Sequence, residues 1–201
     1  MFFLIVRVAC VMGLLLWATP VINNEMEGRT WIYLVTRPNG GTSVVLGKFA
    51  VALLWSLAVG LVGALTTVSV SGVESPFRVW WVLSALAVLS CMAYGALFTF
   101  IGTVLQRRAM VAAILVTLVF EGVLASIPAT INRFTVGYRL FSLLMTWMGY
   151  EDDPRAIQWR ELFGETSPGT HLAVILVYSL TMLALAVARV RLGGYLTEPE
   201  D

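Results

Sequence analysis

Histidine and cysteine are almost missing from this chain of 201 residues, which has one histidine, His171, and two cysteines, Cys10 and Cys91. Membrane proteases work through a His-ligated metal with Glu, a Ser-His pair or two intramembrane Asp. A single His171, with no Asp inside the apolar runs, completes none of these. Both cysteines lie within apolar runs, where a free thiol behaves as a small buried hydrophobe, so neither a disulfide framework nor a metal site is expected. Charge is also scarce, at 12% against about 25% in soluble domains. The net charge of +1 supplies no basic field for nucleic acid. Short alternating strands are absent, which excludes a transmembrane β-barrel. Gly47-Lys48 is no phosphate loop, because Thr42 stands five before Gly47 and Phe49 follows where Ser or Thr would hold magnesium. Glu151, Asp152 and Asp153 are adjacent, without the alternation and central glycine of a calcium loop.

What remains is apolar: 59% of residues are hydrophobic and the mean hydropathy is +0.85. A bilayer core of about 30 Å needs about 20 such residues per helix. Five runs qualify, at 2–22, 46–71, 79–105, 109–128 and 171–192. They predict an all-α, polytopic transmembrane bundle forming one domain over 1–201, with no soluble catalytic module and no removable signal at its start. Trp80 and Trp81 fit an interfacial aromatic anchor, and His171, opening the last run, is expected to cap it or sit among headgroups. Placing 23–45 in the cytoplasm puts Arg29, Arg37, Lys48, Arg107, Arg108, Arg189 and Arg191 inside. Arg78, Arg133, Arg139, Arg155 and Arg160 then lie outside, four of them in one long loop of the kind that weighs least. The chain is therefore expected in the cell membrane, with its start outside and its end in the cytoplasm.

The polar interruption 23–48 reads as a short helix and a turn. Asn23 or Asn24 can cap it, Glu25 and Glu27 suit the positive end of the helix dipole, and Glu25 with Arg29 makes an i,i+4 pair. Pro38 ends it, Asn39, Gly40 and Gly41 turn, and Thr42 or Ser43 can cap the next helix. The outer segment 129–170 is long and only partly polar. Phe134, Tyr138, Phe141, Met145 and Met148 recur there at helical spacing, which predicts an interfacial or re-entrant helix on the outer leaflet.

Three fragments of that interruption, E-M-E-G-R-T, Y-L-V-T-R-P and L-G-K, together with F-E-G at 120–122, resemble the permease subunits of ABC-2 type exporters. The resemblance implies that 24–38 is a coupling helix, with Glu25, Glu27, Arg29, Thr30, Tyr33, Arg37 and Pro38 docking on a separate ATPase, and Gly47 and Lys48 opening the next span. It further implies that ATP and magnesium are bound by that partner and that this chain binds no cofactor. A second permease copy or a related permease, in a prokaryotic inner membrane, would complete the path. Such permeases have six spans, so five here imply either a missing first span or a shortened member.

Glu121 falls inside an apolar run, where an acid costs upwards of ~2.5 kcal/mol unless paired or protonated. It reads equally as a structural acid or a substrate contact. Arg7 lies roughly 8 Å and Glu121 roughly 10 Å below the outer ends of their spans, at ~1.5 Å per residue, so the two can pair across the bundle. Arg7 can instead snorkel outward. Two readings compete with the exporter: a non-transporting membrane scaffold, and an intramembrane enzyme using Glu25, Glu27 and Glu121. The cargo is not legible.

Overall fold

The computed structural model describes residues 2–20, 25, 33, 39–72, 74–105, 108–119, 135–149 and 167–192, the side chains of 2–7 excepted. The described residues form six helices and no strand: α1 (Phe2–Ala18), α2 (Gly40–Ser71), α3 (Pro76–Val104), α4 (Ala109–Thr117), α5 (Val136–Met148) and α6 (Pro168–Leu192). The expected all-helical membrane bundle is what forms. Of these, α2, α3 and α6 are long and apolar enough to cross a membrane, and α1 is shorter. The fourth expected span, 109–128, is described only as far as Val119.

The bundle is organised around α3, which packs against each of the other five helices. Its most apolar stretch is 78% buried, against 22% for those of α2 and α6, so α3 is enclosed by protein while α2 and α6 present most of their surface outward. Three helices meet where the buried thiols of Cys10 of α1 and Cys91 of α3 come together. Gly60 of α2 closes that junction, since a Cβ there would stand 2.6 Å from the Cys10 sulfur. Along α2 the buried face reads Ala52, Ser56, Gly60, Ala64, a small residue every fourth position. Such a stripe lets helix backbones approach closely where lipid supplies no hydrophobic drive to associate. Gly13 of α1 rests on it, with its absent Cβ 2.9 Å from Ser56 Oγ.

Further along, α1 ends against the last turns of α3. The Thr19 carbonyl oxygen lies 2.3 Å from where a Gly102 Cβ would be. On another side, Arg191 of α6 donates from Nε to Thr42 Oγ1 in the first turn of α2 at 3.0 Å. These contacts gather the ends of α1, α3 and α6 with the start of α2 at one end of the bundle.

The start of α2 departs from expectation. Asn39 takes a left-handed conformation (φ 62°) and the helix begins at Gly40, six residues before the expected span. Asn39 therefore makes the turn, while Gly40, Gly41, Thr42 and Ser43 already belong to the helix, with Ser43 N–H bonding Asn39 O at 3.0 Å. The reason is that Asn tolerates positive φ, so one residue suffices to reverse the chain.

At the opposite end, α5 is an amphipathic helix, as its spacing predicted, and lies against α3 and α6. Thr135 caps its start by accepting from Tyr138 N–H, and Gly149 at φ 74° closes its end. Arg78, from the first turn of α3, donates to Trp147 O at 3.0 Å and so places a cation at the negative end of α5. Arg78→Ala should lower stability by about 1 kcal/mol, read as a drop in the thermal unfolding midpoint, with Arg78→Lys recovering part of it.

Candidate functional site

The Lys48 end of the bundle brings together two of the polar side chains that the sequence singled out, Glu25 and Lys48. Lys48 projects from the third turn of α2 and its Nζ lies 2.8 Å from Glu25 Oε1. Both side chains are mostly covered, at 29% and 23% exposure, so the pair is held in protein rather than stretched through water. A charge-assisted bond in that setting contributes about 1.5–3 kcal/mol. Lys48 is also the single lysine of the chain. Glu25 thus bonds across to the next helix; Arg29, its expected partner, lies outside the described residues.

A groove of about 460 Å³ opens beside this pair, between α1 and α2, lined by Leu16, Trp17, Pro20, Gly47, Lys48, Val51 and Ala52. Trp17 and Trp55 stack across its rim with centroids 6.3 Å apart. Gly47 has nothing within 4 Å of its would-be Cβ, so it leaves the groove open rather than relieving a clash. Tyr33 is 76% exposed. Glu27, Thr30, Arg37 and Pro38 lie outside the described residues, as do Glu121 and the side chain of Arg7, and with them the Arg7–Glu121 pairing. Thr42 and Arg191 tie α2 to α6 at this same end, a pairing the sequence did not suggest, since no local pattern marks a contact made 149 residues apart.

The opposite end holds a second polar cluster. His171 is 2% exposed, and the expectation that it caps a span is corrected: α6 begins at Pro168 and the ring is buried beside α5. Its Nε2 lies 3.1 Å from Ser142 Oγ, and Tyr138 packs edge-on at 6.0 Å. Beside it, Arg139 is held below the ordinary guanidinium pKa by burial, with Tyr138 acting in the other direction. Arginine still keeps its proton in any accessible range, so a partly covered full charge stands there. Trp80 is partly buried against the core while Trp81 is 63% exposed, so of the two expected anchors Trp81 faces outward.

Among the described residues no group of three or more His, Cys, Asp or Glu is arranged to hold a metal ion. The family model described as ABC-2 family transporter protein matches residues 1–137, which takes in α1 to α4 and the first residues of α5. No curated protein and no solved structure matches the chain.

Proposed function

Because the chain belongs to the ABC-2 family of transporter proteins, we propose that it is the membrane-spanning permease of an ATP-driven exporter, coupled to a separate ATPase that binds ATP and magnesium. The observation that carries the coupling is the Glu25–Lys48 pair. In this reading 24–38 is the docking helix, with Glu25, Glu27, Arg29, Thr30, Tyr33, Arg37 and Pro38 toward the ATPase at the cytoplasmic face. When the ATPase closes on nucleotide, force on that helix reaches α2 by two routes: through the chain at Asn39, and through the ion pair nine residues further on.

Two attachments about 13 Å apart on one rigid helix transmit a tilt, whereas one would act only as a pivot. The tilt reaches α1 through the small-residue stripe and α6 through Arg191–Thr42. Nucleotide shifts the inward–outward equilibrium only by interacting differently with the two states, so the docking contact differs between them. A second copy or a related permease supplies the other wall of the path, in a cell membrane of prokaryotic type.

Affinity purification of the native chain tests this. We expect it to bring down an ATPase with a phosphate loop, and Glu27→Lys to reduce the recovered ATPase at least about tenfold by placing a cation at the positive end of the docking helix. Recovery of the chain without any such ATPase, from gently solubilised membranes, counts against the exporter and for a scaffold.

A further inference from the structure

The second polar cluster has a mismatch of hydrogen-bond donors that its own protein atoms leave open. His171 Nδ1 and Arg139 Nε are both buried, and neither has a hydrogen-bond partner. Their chemistry can be assigned. The Ser142 hydroxyl bonds His171 Nε2 and, unlike Thr99, Thr117 and Ser179, does not bond back to a carbonyl of its own helix. In the tautomer where that hydroxyl donates to Nε2, the ring hydrogen sits on Nδ1. The Arg139 Nε carries a hydrogen in every state. With that tautomer, Arg139 Nε and His171 Nδ1 are two buried N–H donors without an acceptor, and Arg139 adds a positive charge that acts on His171.

Water could accept one hydrogen but brings no charge to match that of Arg139. A tetrahedral oxyanion supplies several acceptor oxygens and the opposite charge together. The position agrees with that. Arg139 and Ser142 sit on amphipathic α5, which crosses the end of the bundle from the first turn of α6 to the first turn of α3, marked by His171 and Arg78. An amphipathic helix of this kind lies at the depth of lipid headgroups.

We propose that Arg139 and His171, with Ser142 fixing the imidazole, form a binding site for a phosphate-class oxyanion at the Arg78 end of the bundle. Arg139 is the charge-bearing donor and His171 the directional one. Ser142 is a positioning residue, since it acts through the ring. The oxyanion is carried by a phospholipid headgroup or is free in solution, and the site's chemistry is the same for both.

His171 being the only histidine gives a direct readout on the whole chain. Uniform labelling with ¹⁵N-histidine yields two ring resonances in delipidated protein held in maltoside micelles, which contain no phosphate. The protein is titrated with inorganic phosphate, with phosphatidylglycerol, and with a diacylglycerol of the same chains. We expect a saturable shift of the Nδ1 resonance. A shift with phosphatidylglycerol alone assigns a headgroup, and a shift with inorganic phosphate assigns a free anion. Arg139→Gln should raise the half-saturating concentration at least about tenfold, Ser142→Ala should move both ring resonances before any addition, and Arg189→Gln should change neither. No shift with either phosphate source, or an equal shift with diacylglycerol, overturns the site. So does unchanged affinity in folded Arg139→Gln.

Discussion

Gly102→Val is expected to leave no stably folded protein. The would-be Cβ at this position lies 2.3 Å from Thr19 O, 3.2 Å from the Thr19 carbonyl carbon and 3.5 Å from Ala18 O. These are backbone atoms, so no rotamer change can make room, and the whole end of α1 would have to lift from α3. Overpacking a close-packed interior costs about 1–3 kcal/mol where side chains can adjust, and more where they cannot. Even Gly102→Ala should lower stability by about 3 kcal/mol, and valine adds a branched pair of methyls. Size-exclusion recovery after a heating series measures this. Gly63→Ala is the control, because nothing lies within 4 Å of its would-be Cβ, and its recovery curve should overlay the parent's. A Gly102→Val variant that survives heating as well as the parent would show that the α1–α3 contact is not as close as described.

Lys48→Glu should uncouple nucleotide turnover from movement while leaving the bundle folded. It replaces an attraction at 2.8 Å with two facing carboxylates, which pushes Glu25 away from α2. If the pair is the second attachment of the docking helix, its loss leaves only the hinge at Asn39. The permease-dependent part of the ATPase rate, in the co-purified complex, should then fall about tenfold, the equivalent of ~1.4 kcal/mol of coupling. The reciprocal change, Glu25→Lys with Lys48→Glu, restores opposite charges at the same separation and should regain most of the rate. Equal rates for the single variant and the parent would remove the ion pair from the mechanism. Failure of the double variant to recover, with both singles folded, would mean that each residue acts alone.

Much of the architecture was legible because bilayer thickness imposes one length on every span, and α2, α3 and α6 answer to it. The amphipathic α5 was legible for a similar reason, since Tyr138 and Met145 recur at a helical period. The start of α2 was misplaced because Asn-Gly-Gly reads as a turn of three, whereas Asn39 alone takes the positive φ and both glycines wind into the helix. The close packing of α1 on α2 rests on small residues rather than on paired glycines. The stripe Ala52, Ser56, Gly60, Ala64 is in the sequence once Ala and Ser count as small. Gly60 and Gly95 meet neighbours at their would-be Cβ, and Gly63 meets none. Gly102 needed knowledge of which carbonyl arrives, and only the assembled bundle supplies that. The Glu25–Lys48 pair had no local signal, because the two residues stand twenty-three apart in sequence. The burial of His171 had no local signal, because the helix that covers it starts more than thirty residues earlier.

The enclosure of α3 bears on how the chain is made. An 18-residue stretch with hydropathy 1.9 is apolar enough to partition from the translocon into lipid unaided. In the finished protein that stretch hardly meets lipid, and Ser84, Ser90, Thr99 and Thr103 are hidden with it. Its hydrophobicity therefore serves the moment of biosynthesis, before α4, α5 and α6 have emerged from the ribosome to shelter it. Substitutions toward polarity along α3 are constrained first by insertion and only afterwards by the fold.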